Sequence, residues 1–297
     1  MKILVTGSNG LLGQKLTELI EKESSAHLVA TAAKPAALPI RTGEFYLLDV
    51  TDRNSVDRII GQSKPHVIIN TAAMTQVDQC ETQREACWKA NVSAVENLVT
   101  ASRQNNAHLI HVSTDFIFDG KQEMLDESAM PHPINYYGES KLAGEKVVMQ
   151  SDISWSIIRT VLVYGVTQDM SRSNIVLWVK KSLEQGKTIQ VVNDQWRTPT
   201  LAEDLAKGCY LAGIKKAKGI FNISGKDYMS AYDIAIRTAD FFGLDKSLIK
   251  ETDSTKFTQP ASRPPRTGFI IDKAREVLGY EPHSFEEGLK VIATQLK

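Results

Sequence analysis

The sequence predicts an α/β fold with a doubly wound parallel sheet and a smaller C-terminal lobe interleaved with it. Short apolar runs alternate with helical segments through residues 1–165. A parallel crossover needs a dozen or more residues, which a helix between two strands supplies. A glycine-rich turn also joins the first strand to the first helix. Together these observations predict helices on both faces of the sheet, with right-handed crossovers.

Apolar strands and amphipathic helices alternate in the N-terminal part of the chain. Residues 3–5 are apolar throughout, as in a strand that is buried on both faces. Leu12, Leu16 and Leu19 recur at helical spacing in the first helix. The predicted strands are residues 3–5, 27–32, 45–48, 67–70, 108–113 and 155–159. The predicted helices are residues 11–23, 54–60, 83–106 and 135–150.

The pattern loosens after Gly165, although no low-complexity linker separates the two parts of the chain. Strands are predicted at residues 188–192 and 219–223, and helices at residues 174–185, 201–212, 231–242, 272–278 and 285–295. A Pro-rich loop covers residues 259–265. We therefore expect residues 1–165, with returning segments at about 188–224, to form the sheet domain. Residues 166–187 and 225–297 are expected to form the smaller, substrate-binding lobe.

The composition excludes several functional classes. The 297 residues include 35 Lys plus Arg and 35 Asp plus Glu, so the formal net charge is zero and no basic field favours nucleic acid. No apolar run is long enough to predict a membrane span, and the apolar N-terminus is interpreted as a strand rather than a signal peptide. Cys80, Cys87 and Cys209 form no CxxC pair, although the first two are one heptad apart and could share a helix face. We expect a cytoplasmic protein without a zinc site.

The segment TGSNGLLG at residues 6–13 lies between the first strand and the first helix. Its glycines permit a sharp turn and let a pyrophosphate approach the backbone, while the helix N-terminus offers free N–H groups. The spacing is GxxGxxG rather than GxGxxG, but the strand before it and the helix after it favour dinucleotide binding over a structural turn. We therefore predict that residues 1–165 form a Rossmann-type NADP-binding domain. Its loop contacts are predicted to be Gly7, Asn9, Gly10, Leu11, Leu12 and Gly13.

The end of the second strand favours NADPH over NADH, with NADH kept as an alternative. Residues 30–34 read ATAAK and contain no acid that would bind the ribose of NAD and repel a 2′-phosphate. Lys34 is a candidate for the 2′-phosphate, or else a solvated loop charge. Asp49, after the third strand, could accept from the adenine amino group or cap the helix that follows it.

Lys141 lies four positions after Tyr137, so the two side chains share one face of a predicted helix. A nearby ammonium favours phenolate, so we expect Lys141 to lower the pKa of Tyr137 and make it a general acid or base. Tyr136 has no such partner and is expected to pack against neighbouring side chains.

Ser113 and Thr114 end the fifth strand, at the edge where doubly wound sheets bind ligands. A hydroxyl there could bond a substrate carbonyl, or else cap a turn.

These motifs together resemble the extended short-chain dehydrogenase/reductase family. Residues 70–78 (NTAAMTQVD), 113–120 (STDFIFDG), 137–145 (YGESKLAGE), 194–200 (DQWRTPT) and 262–265 (SRPP) are more specifically similar to the dTDP-4-dehydrorhamnose reductase family. The resemblance covers essentially the whole chain. It implies reduction of a carbonyl to an alcohol on a nucleotide sugar. The residues at 118–120 are its most specific motif, whereas the glycine and tyrosine motifs mark only the superfamily.

The resemblance also implies roles for individual residues. Thr114 would orient the substrate carbonyl, Tyr137 would donate the proton as NADPH delivers hydride to C4, and Lys141 would hold the nicotinamide ribose. Further cofactor contacts are expected at Asp49, Val50, Ala72 and Ala73. Substrate contacts are expected at Thr75, Ser113, Thr114, Phe116, Leu162, Arg197 and Arg263. The two arginines could hold a diphosphate, or else form ion pairs.

Several positions depart from the family pattern. Phe116 stands where the family often has Tyr, and Leu162 where it often has Trp, so the sugar is left open. Some members bridge a dimer through Mg²⁺ with an acid near the last glycine; Lys15 stands here, so we expect no Mg²⁺. The same departures resemble a sister branch, the regulatory β subunit of methionine adenosyltransferase. Alternatives to the reductase are therefore a regulatory NADP-binding subunit and another sugar-nucleotide reductase or epimerase, and a homodimer is compatible with each.

Overall fold

The computed structural model describes residues 1–23, 25–168 and 174–296. Within these residues the strands are β1 (Lys2–Thr6), β2 (His27–Ala32), β3 (Glu44–Leu47), β4 (Val67–Asn70), β5 (His108–Thr114), β6 (Met124–Leu125), β7 (Trp155–Thr160), β8 (Val163–Tyr164), β9 (Ile189–Val192), β10 (Trp196–Arg197), β11 (Thr200–Leu201), β12 (Gly219–Asn222), β13 (Met229–Ser230), β14 (Ile249–Thr252) and β15 (Arg266–Phe269). The α-helices are α1 (Leu11–Lys22), α2 (Arg53–Ser63), α3 (Val77–Thr82), α4 (Arg84–Trp88), α5 (Ala94–Asn105), α6 (Tyr136–Met149), α7 (Ile175–Glu184), α8 (Ala202–Lys215), α9 (Ala231–Phe242), α10 (Asp272–Leu278) and α11 (Phe285–Gln295). None of these helices has the length and apolar character needed to cross a bilayer.

The central sheet of the described chain has seven parallel strands in the order β12-β7-β5-β4-β1-β2-β3. The strand order reverses between β1 and β4, where Thr6 pairs with Asn70. Doubly wound sheets bind ligands at such a reversal, beyond the carboxyl ends of the strands. The predicted doubly wound parallel sheet is therefore confirmed, and its reversal point marks the place to examine for a site.

Side chains of β1 alternate between two apolar clusters, one on each face of the sheet. Ile3 and Val5 pack in the cluster that contains Leu16 of α1, whereas Leu4 packs in the cluster that contains Leu98 of α5. Successive side chains of a strand point to opposite faces, so an all-apolar strand fits a sheet that is covered twice. This burial fixes β1 in the middle of the sheet and points its last residues towards the reversal point.

The long helix predicted over residues 83–106 is interrupted in the structure. Helix α4 ends at Trp88, a π-helical turn covers Lys89–Ser93, and α5 continues from Ala94. A separate short helix, α3, precedes it, where no element was predicted. A π turn inserts one extra residue per turn, which the apolar spacing of a sequence does not reveal. The extra residue changes which side chains face the sheet, and Asn91 is one that becomes buried.

The C-terminal segments differ in part from the predicted division of the chain. Strand β9, in the segment expected to return to the sheet domain, pairs instead with β14 in a separate two-stranded sheet. Its Ile189 and Val191 pack against helices α7 and α9, and this burial explains its position outside the central sheet. Strand β12 does return, beside β7, and α8 packs on α1. Of the predicted lobe, residues 169–173 and 297 lie outside the described residues, and the two-domain division stays a prediction.

A four-stranded sheet, β13-β10-β15-β6, lies next to the carboxyl end of β5. Its edge strand β6 comes from the N-terminal half of the chain, and β15 comes from the C-terminal end. Within it, Thr267 donates a hydrogen bond to Asp115, which directly follows β5. The two halves of the chain are therefore joined at the same edge of the central sheet where the predicted hydroxyls lie.

Candidate functional site

The glycine loop leaves the first turn of α1 open to an anion. Gly7 has a φ of +66°, and a Cβ there would lie 3.0 Å from the backbone of Ala72. A Cβ on Gly13 would lie 2.3 Å from the carbonyl oxygen of Gly7, whereas one on Gly10 would meet nothing closer than 3.4 Å. Gly10 is the N-cap of α1, and no side chain of the described residues caps this helix. Its N–H groups can therefore hold a phosphate, and the residues fit the pyrophosphate of a dinucleotide.

The side chain of Asn9, a predicted cofactor contact, binds the segment after β2. Its amide nitrogen donates to the carbonyl oxygens of Pro35 (2.8 Å) and Lys34 (3.3 Å), and its Oδ1 accepts from the N–H of Ala37 (2.9 Å). The side chain thus fixes the segment after β2 beside the glycine loop. The Lys34 side chain is exposed there. From this position, the Lys34 side chain can contact a 2′-phosphate or remain solvated.

Asp49, which follows β3, is not the residue that caps helix α2. Asp52 is the N-cap of α2 and accepts from the N–H of Asn54. Asp49 Oδ1 instead accepts from the N–H and hydroxyl of Thr51. Val50 offers its carbonyl oxygen to Asn97 Nδ2 at 3.1 Å. Asp49 is exposed and remains a candidate contact for adenine, and the helix-capping alternative does not hold.

Tyr137, Thr114 and Lys141 come together at the carboxyl end of β5. Tyr137 lies in the first turn of α6 and is 7% exposed, and its hydroxyl is within hydrogen-bonding reach of the Thr114 hydroxyl. Lys141 Nζ donates to the carbonyl oxygen of Val112 at 2.7 Å. A Cβ on Gly138 would lie 2.1 Å from the Phe116 carbonyl oxygen, so this glycine allows the helix to approach the strand end. The phenol of Tyr137, the hydroxyl of Thr114 and the ammonium of Lys141 therefore lie together in a buried region near the point where the strand order reverses.

The protonation of Tyr137 differs from the expectation. Burial raises the pKa of Tyr137, and the hydrogen bond with Thr114 opposes this only in part. Burial also lowers the pKa of Lys141 to about 8. Lys141 does not lower the Tyr137 pKa as predicted, because its ammonium is directed to the Val112 carbonyl and burial of the phenol dominates. At neutral pH the phenol therefore keeps its proton and can donate it.

Arg197 is a buried structural residue in this structure. Its guanidinium donates to the carbonyl oxygens of Pro264 (2.6 Å), Pro265 (3.1 Å) and Trp196 (2.7 Å), and its Nε lies 3.5 Å from Asp115 Oδ2. The expected diphosphate contact requires a free guanidinium fork, and these donors are already engaged. The sequence could not indicate this, because the proline carbonyls lie far along the chain.

Replacing Arg197 by Lys is expected to lower the free energy of unfolding by about 2 kcal/mol, because buried carbonyl oxygens lose charged donors. Urea denaturation followed by circular dichroism measures this. The matched control is Arg263→Lys, for which we expect a loss of less than about 1 kcal/mol because its ion pair is partly exposed. Equal losses in the two variants would contradict the assignment of Arg197 as the buried anchor.

Arg263 forms the ion pair that was the alternative to a diphosphate contact. It binds Asp78 through two 2.7 Å contacts, one from each terminal nitrogen. Asp78 lies in the first turn of α3 and ends the segment 70–78, so this pair joins the Pro-rich loop to the end of that segment. Neither predicted arginine therefore has a free fork for a substrate phosphate.

The other predicted substrate contacts differ in how they are placed relative to Tyr137. Phe116 packs edge-on against the Tyr137 ring, with centroids 5.7 Å apart. Ser113 is buried, and its Oγ has no hydrogen-bond partner among the described residues. Leu162 has a φ of +36° and its carbonyl oxygen accepts from the Thr200 N–H. Thr75 is exposed in the segment after β4. Of these residues, Phe116 contacts the Tyr137 ring, and Ser113 is next to Thr114 on β5.

Asn91, which sequence reasoning missed, connects the segment after β4 to α6. Its Oδ1 accepts from the Met74 N–H at 2.9 Å, and its Nδ2 lies 3.0 Å from both the Met74 carbonyl oxygen and Ser140 Oγ. Ser140 in turn donates to the Tyr137 carbonyl oxygen. The only signal in the sequence was an Asn in the interior of a predicted helix. This side chain aligns the predicted cofactor segment with the helix that carries Tyr137 and Lys141.

A second missed network crosses three adjacent strands. Thr6 Oγ1 donates to Asn70 Oδ1 at 2.7 Å, and Asn70 Nδ2 donates to His111 Nδ1 at 3.2 Å. His111 is buried, burial lowers its pKa well below the usual value, and its Nε2 has no partner among the described residues. The network holds β1, β4 and β5 in register beneath the candidate site.

Lys15, the residue that argued against Mg²⁺, is buried in an ion pair. Its Nζ lies 3.1 Å from Glu203 and donates to Gln295 at 2.9 Å, which joins α1 to α8 and α11. No group of three or more His, Cys, Asp or Glu side chains that could hold a metal occurs in residues 1–23, 25–168 and 174–296.

Comparison with known proteins shows similarity over the whole chain. The profile of the RmlD substrate binding domain family matches residues 1–297. The β subunit of methionine adenosyltransferase 2 from Xenopus laevis is 34% identical, over 84% of this chain and 74% of that protein. A dTDP-4-dehydrorhamnose reductase structure from Clostridium acetobutylicum superposes with a TM-score of 0.89 at 30% identity, covering 100% of this chain and 99% of that one. The Bacillus anthracis dTDP-4-dehydrorhamnose reductase in complex with NADP gives 0.85 at 28% identity, with 99% of each chain covered.

Proposed function

The chain belongs to the RmlD substrate binding domain family, and on that premise we propose that it reduces the keto group of a nucleotide-activated 4-keto-6-deoxysugar with NADPH. The observation that carries the proposal is the buried phenol of Tyr137 beside the Thr114 hydroxyl, where burial raises the phenol pKa. Reduction of a carbonyl requires a proton donor as well as a hydride donor. The similar Clostridium and Bacillus proteins, both named dTDP-4-dehydrorhamnose reductases, support this substrate class.

The uncapped first turn of α1 supports a dinucleotide with two phosphates. Leu11, Leu12 and Gly13 provide backbone N–H groups at that turn, and Gly10 leaves room for a phosphate beside it. Lys34 is the proposed partner of a 2′-phosphate, which distinguishes NADPH from NADH. The NADP complex of the Bacillus relative is consistent with this choice.

In the proposed reaction, bound NADPH supplies the hydride. Tyr137 donates its phenolic proton to the carbonyl oxygen as negative charge develops there, and Thr114 orients that oxygen through its hydroxyl. Lys141 is held against the Val112 carbonyl, from where it would bind the nicotinamide ribose. Phe116 and Leu162 would then determine which sugar fits, and Thr75 and Ser113 are further proposed contacts. The product is the corresponding alcohol.

A second candidate function is that of a regulatory subunit that binds NADP without turnover. The relative from Xenopus laevis favours it, because it is named as a subunit of methionine adenosyltransferase and matches 84% of this chain. A binding protein can retain Thr114, Tyr137 and Lys141, so their presence alone does not decide between the two functions. The regulatory candidate predicts a protein partner, whereas the reductase predicts a small-molecule substrate.

The deciding experiment follows NADPH oxidation at a panel of nucleotide 4-keto-6-deoxysugars that includes dTDP-4-dehydrorhamnose. We expect turnover with at least one of them, slower oxidation of NADH, and an alcohol at C4 of the product by NMR. NADPH binding without turnover on any sugar, together with recovery of methionine adenosyltransferase in a pull-down, would reject the reductase in favour of the regulatory subunit.

A further inference from the structure

Cys80 and Cys87 pack in the same buried cluster as Tyr137. Cys80 lies on α3 and Cys87 on α4, and these helices are separated by a break at Gln83. Both side chains are buried in one packed cluster with Tyr137, and each thiol shifts the pKa of the other. Partly buried side chains cover the pair, namely Met74, Val77, Phe116 and Tyr136. The side chains that cover this dithiol are themselves partly exposed, and the proposed reaction uses neither thiol.

The surroundings make the two thiols chemically unequal. Cys87 Sγ lies 3.4 Å from Asn91 Nδ2, which donates to it, and 3.3 Å from Ser140 Oγ. Contact with Cys80 is the main factor that lowers the pKa of Cys87, to about 7, and the charge of Lys141 contributes. The pKa of Cys80 is raised by the same contact. The hydrogen bond that Asn91 donates to Cys87 Sγ stabilises a thiolate there, whereas Cys80 Sγ donates its own proton to the Met74 carbonyl oxygen. Cys87 is therefore the nucleophile of the pair, because the thiolate is the reactive form.

We propose that Cys80 and Cys87 form a reversible disulfide when the protein meets a hydroperoxide, and that this disulfide weakens the NADPH site. The Cys87 thiolate attacks one peroxide oxygen, the O–O bond breaks, and Cys87 becomes a sulfenic acid. Cys80 then loses its proton and attacks the Cys87 sulfur, the S–O bond breaks, and water leaves. Two thiols are oxidised by two electrons, and hydrogen peroxide is reduced to two waters. A dithiol reductant reverses the reaction.

The disulfide would alter contacts on both sides of the predicted cofactor site. A bonded pair of sulfurs is about 2.0 Å apart, so both sulfurs must move from their present partners. Cys80 Sγ now donates to the Met74 carbonyl oxygen at 3.6 Å, in the segment that follows Ala72 and Ala73. Cys87 contacts Ser140, which precedes Lys141. This effect on NADPH rests on the proposed function, whereas the disulfide itself does not.

The first test counts thiols in the intact protein. After hydrogen peroxide treatment and alkylation in denaturant, we expect the three thiols of the wild type to fall to one, with a peptide that links residues 80 and 87. Cys209→Ser is the matched control and should still lose two thiols, because burial raises the Cys209 pKa to about 12 and makes this thiol unreactive. Cys80→Ser should leave a sulfenic acid on Cys87 that dimedone traps. Retention of all three thiols in the wild type, or a link between chains on a non-reducing gel, would overturn the proposal.

The second test measures NADPH affinity by fluorescence titration in the reduced and oxidised protein. We expect about tenfold weaker binding after oxidation, restored by dithiothreitol and absent in Cys87→Ser. An intramolecular disulfide that leaves NADPH affinity unchanged would reject the switch. If the reduced protein fails to bind NADPH, the proposed function fails, and the thiol count still decides whether the disulfide forms.

Discussion

Replacing Tyr137 by Phe is expected to lower kcat for keto-sugar reduction by about 10²–10⁴-fold and to leave the dissociation constant of NADPH nearly unchanged. The substitution removes one hydroxyl, the proposed proton donor, and keeps the ring that packs edge-on against Phe116. The fold should therefore survive. Steady-state NADPH oxidation gives kcat, and fluorescence titration gives the affinity for the cofactor.

Tyr136→Phe is the matched control for this variant. Tyr136 is the adjacent residue, but its ring packs beside Trp88 and under the Arg84 guanidinium, away from Thr114. We expect its kcat to stay within about twofold of the wild type, because it holds no proton for the reaction. Equal kcat values for Tyr137→Phe and the wild type would remove Tyr137 from the mechanism. A large loss in both variants would indicate damage to helix α6 rather than to the chemistry.

The sequence predicted the central sheet because its interior strands are short and mainly apolar, and helices separate most of them along the chain. β1 and β4 are examples, since nearly all their residues are buried. Local periodicity cannot reveal the π turn at Lys89–Ser93, because the inserted residue shifts the helix face without changing composition. It also cannot tell that β9 pairs with β14, because that pairing depends on which apolar surface remains uncovered elsewhere.

The candidate site was predictable to the extent that its residues follow a short-range rule. Tyr137 and Lys141 share a helix face, and Thr114 ends a strand, so sequence spacing alone brings them to one edge. The arginines were not predictable, because their partners are distant in the chain: Arg197 pairs with Asp115, and Arg263 with Asp78. A guanidinium that can bind a phosphate can equally bind a carboxylate, and only the fold decides between them.

The Tyr137 pKa shows how burial can outweigh a neighbouring charge. Spacing correctly indicates that Lys141 is near, but not that its ammonium points to the Val112 carbonyl. With the phenol almost entirely buried, loss of hydration raises its pKa rather than lowering it. A proton donor in a reduction benefits from this direction, because it must be protonated before hydride arrives.

Replacing Gly10 by Val is expected to weaken NADPH binding by about 10³-fold, or about 4 kcal/mol. The free protein should tolerate the change: Gly10 has φ −76° and ψ 169°, which a β-branched residue adopts, and a Cβ there meets only the Gly7 carbonyl oxygen at 3.4 Å. The branched side chain would instead occupy the space before the first turn of α1, where we place the pyrophosphate. Fluorescence titration with NADPH measures the loss, and thermal unfolding measures the stability of the free protein.

Gly61→Val is the matched control for the glycine loop. Gly61 lies in α2, and a Cβ there has no neighbour within 4 Å, so valine changes helix propensity without approaching the proposed cofactor. We expect its NADPH affinity to equal that of the wild type. Gly13 would be a poor choice for the same test, because a Cβ there clashes with the Gly7 carbonyl oxygen at 2.3 Å and would disturb the fold itself. Unaltered NADPH binding by a folded Gly10→Val variant would show that the pyrophosphate does not lie on this loop.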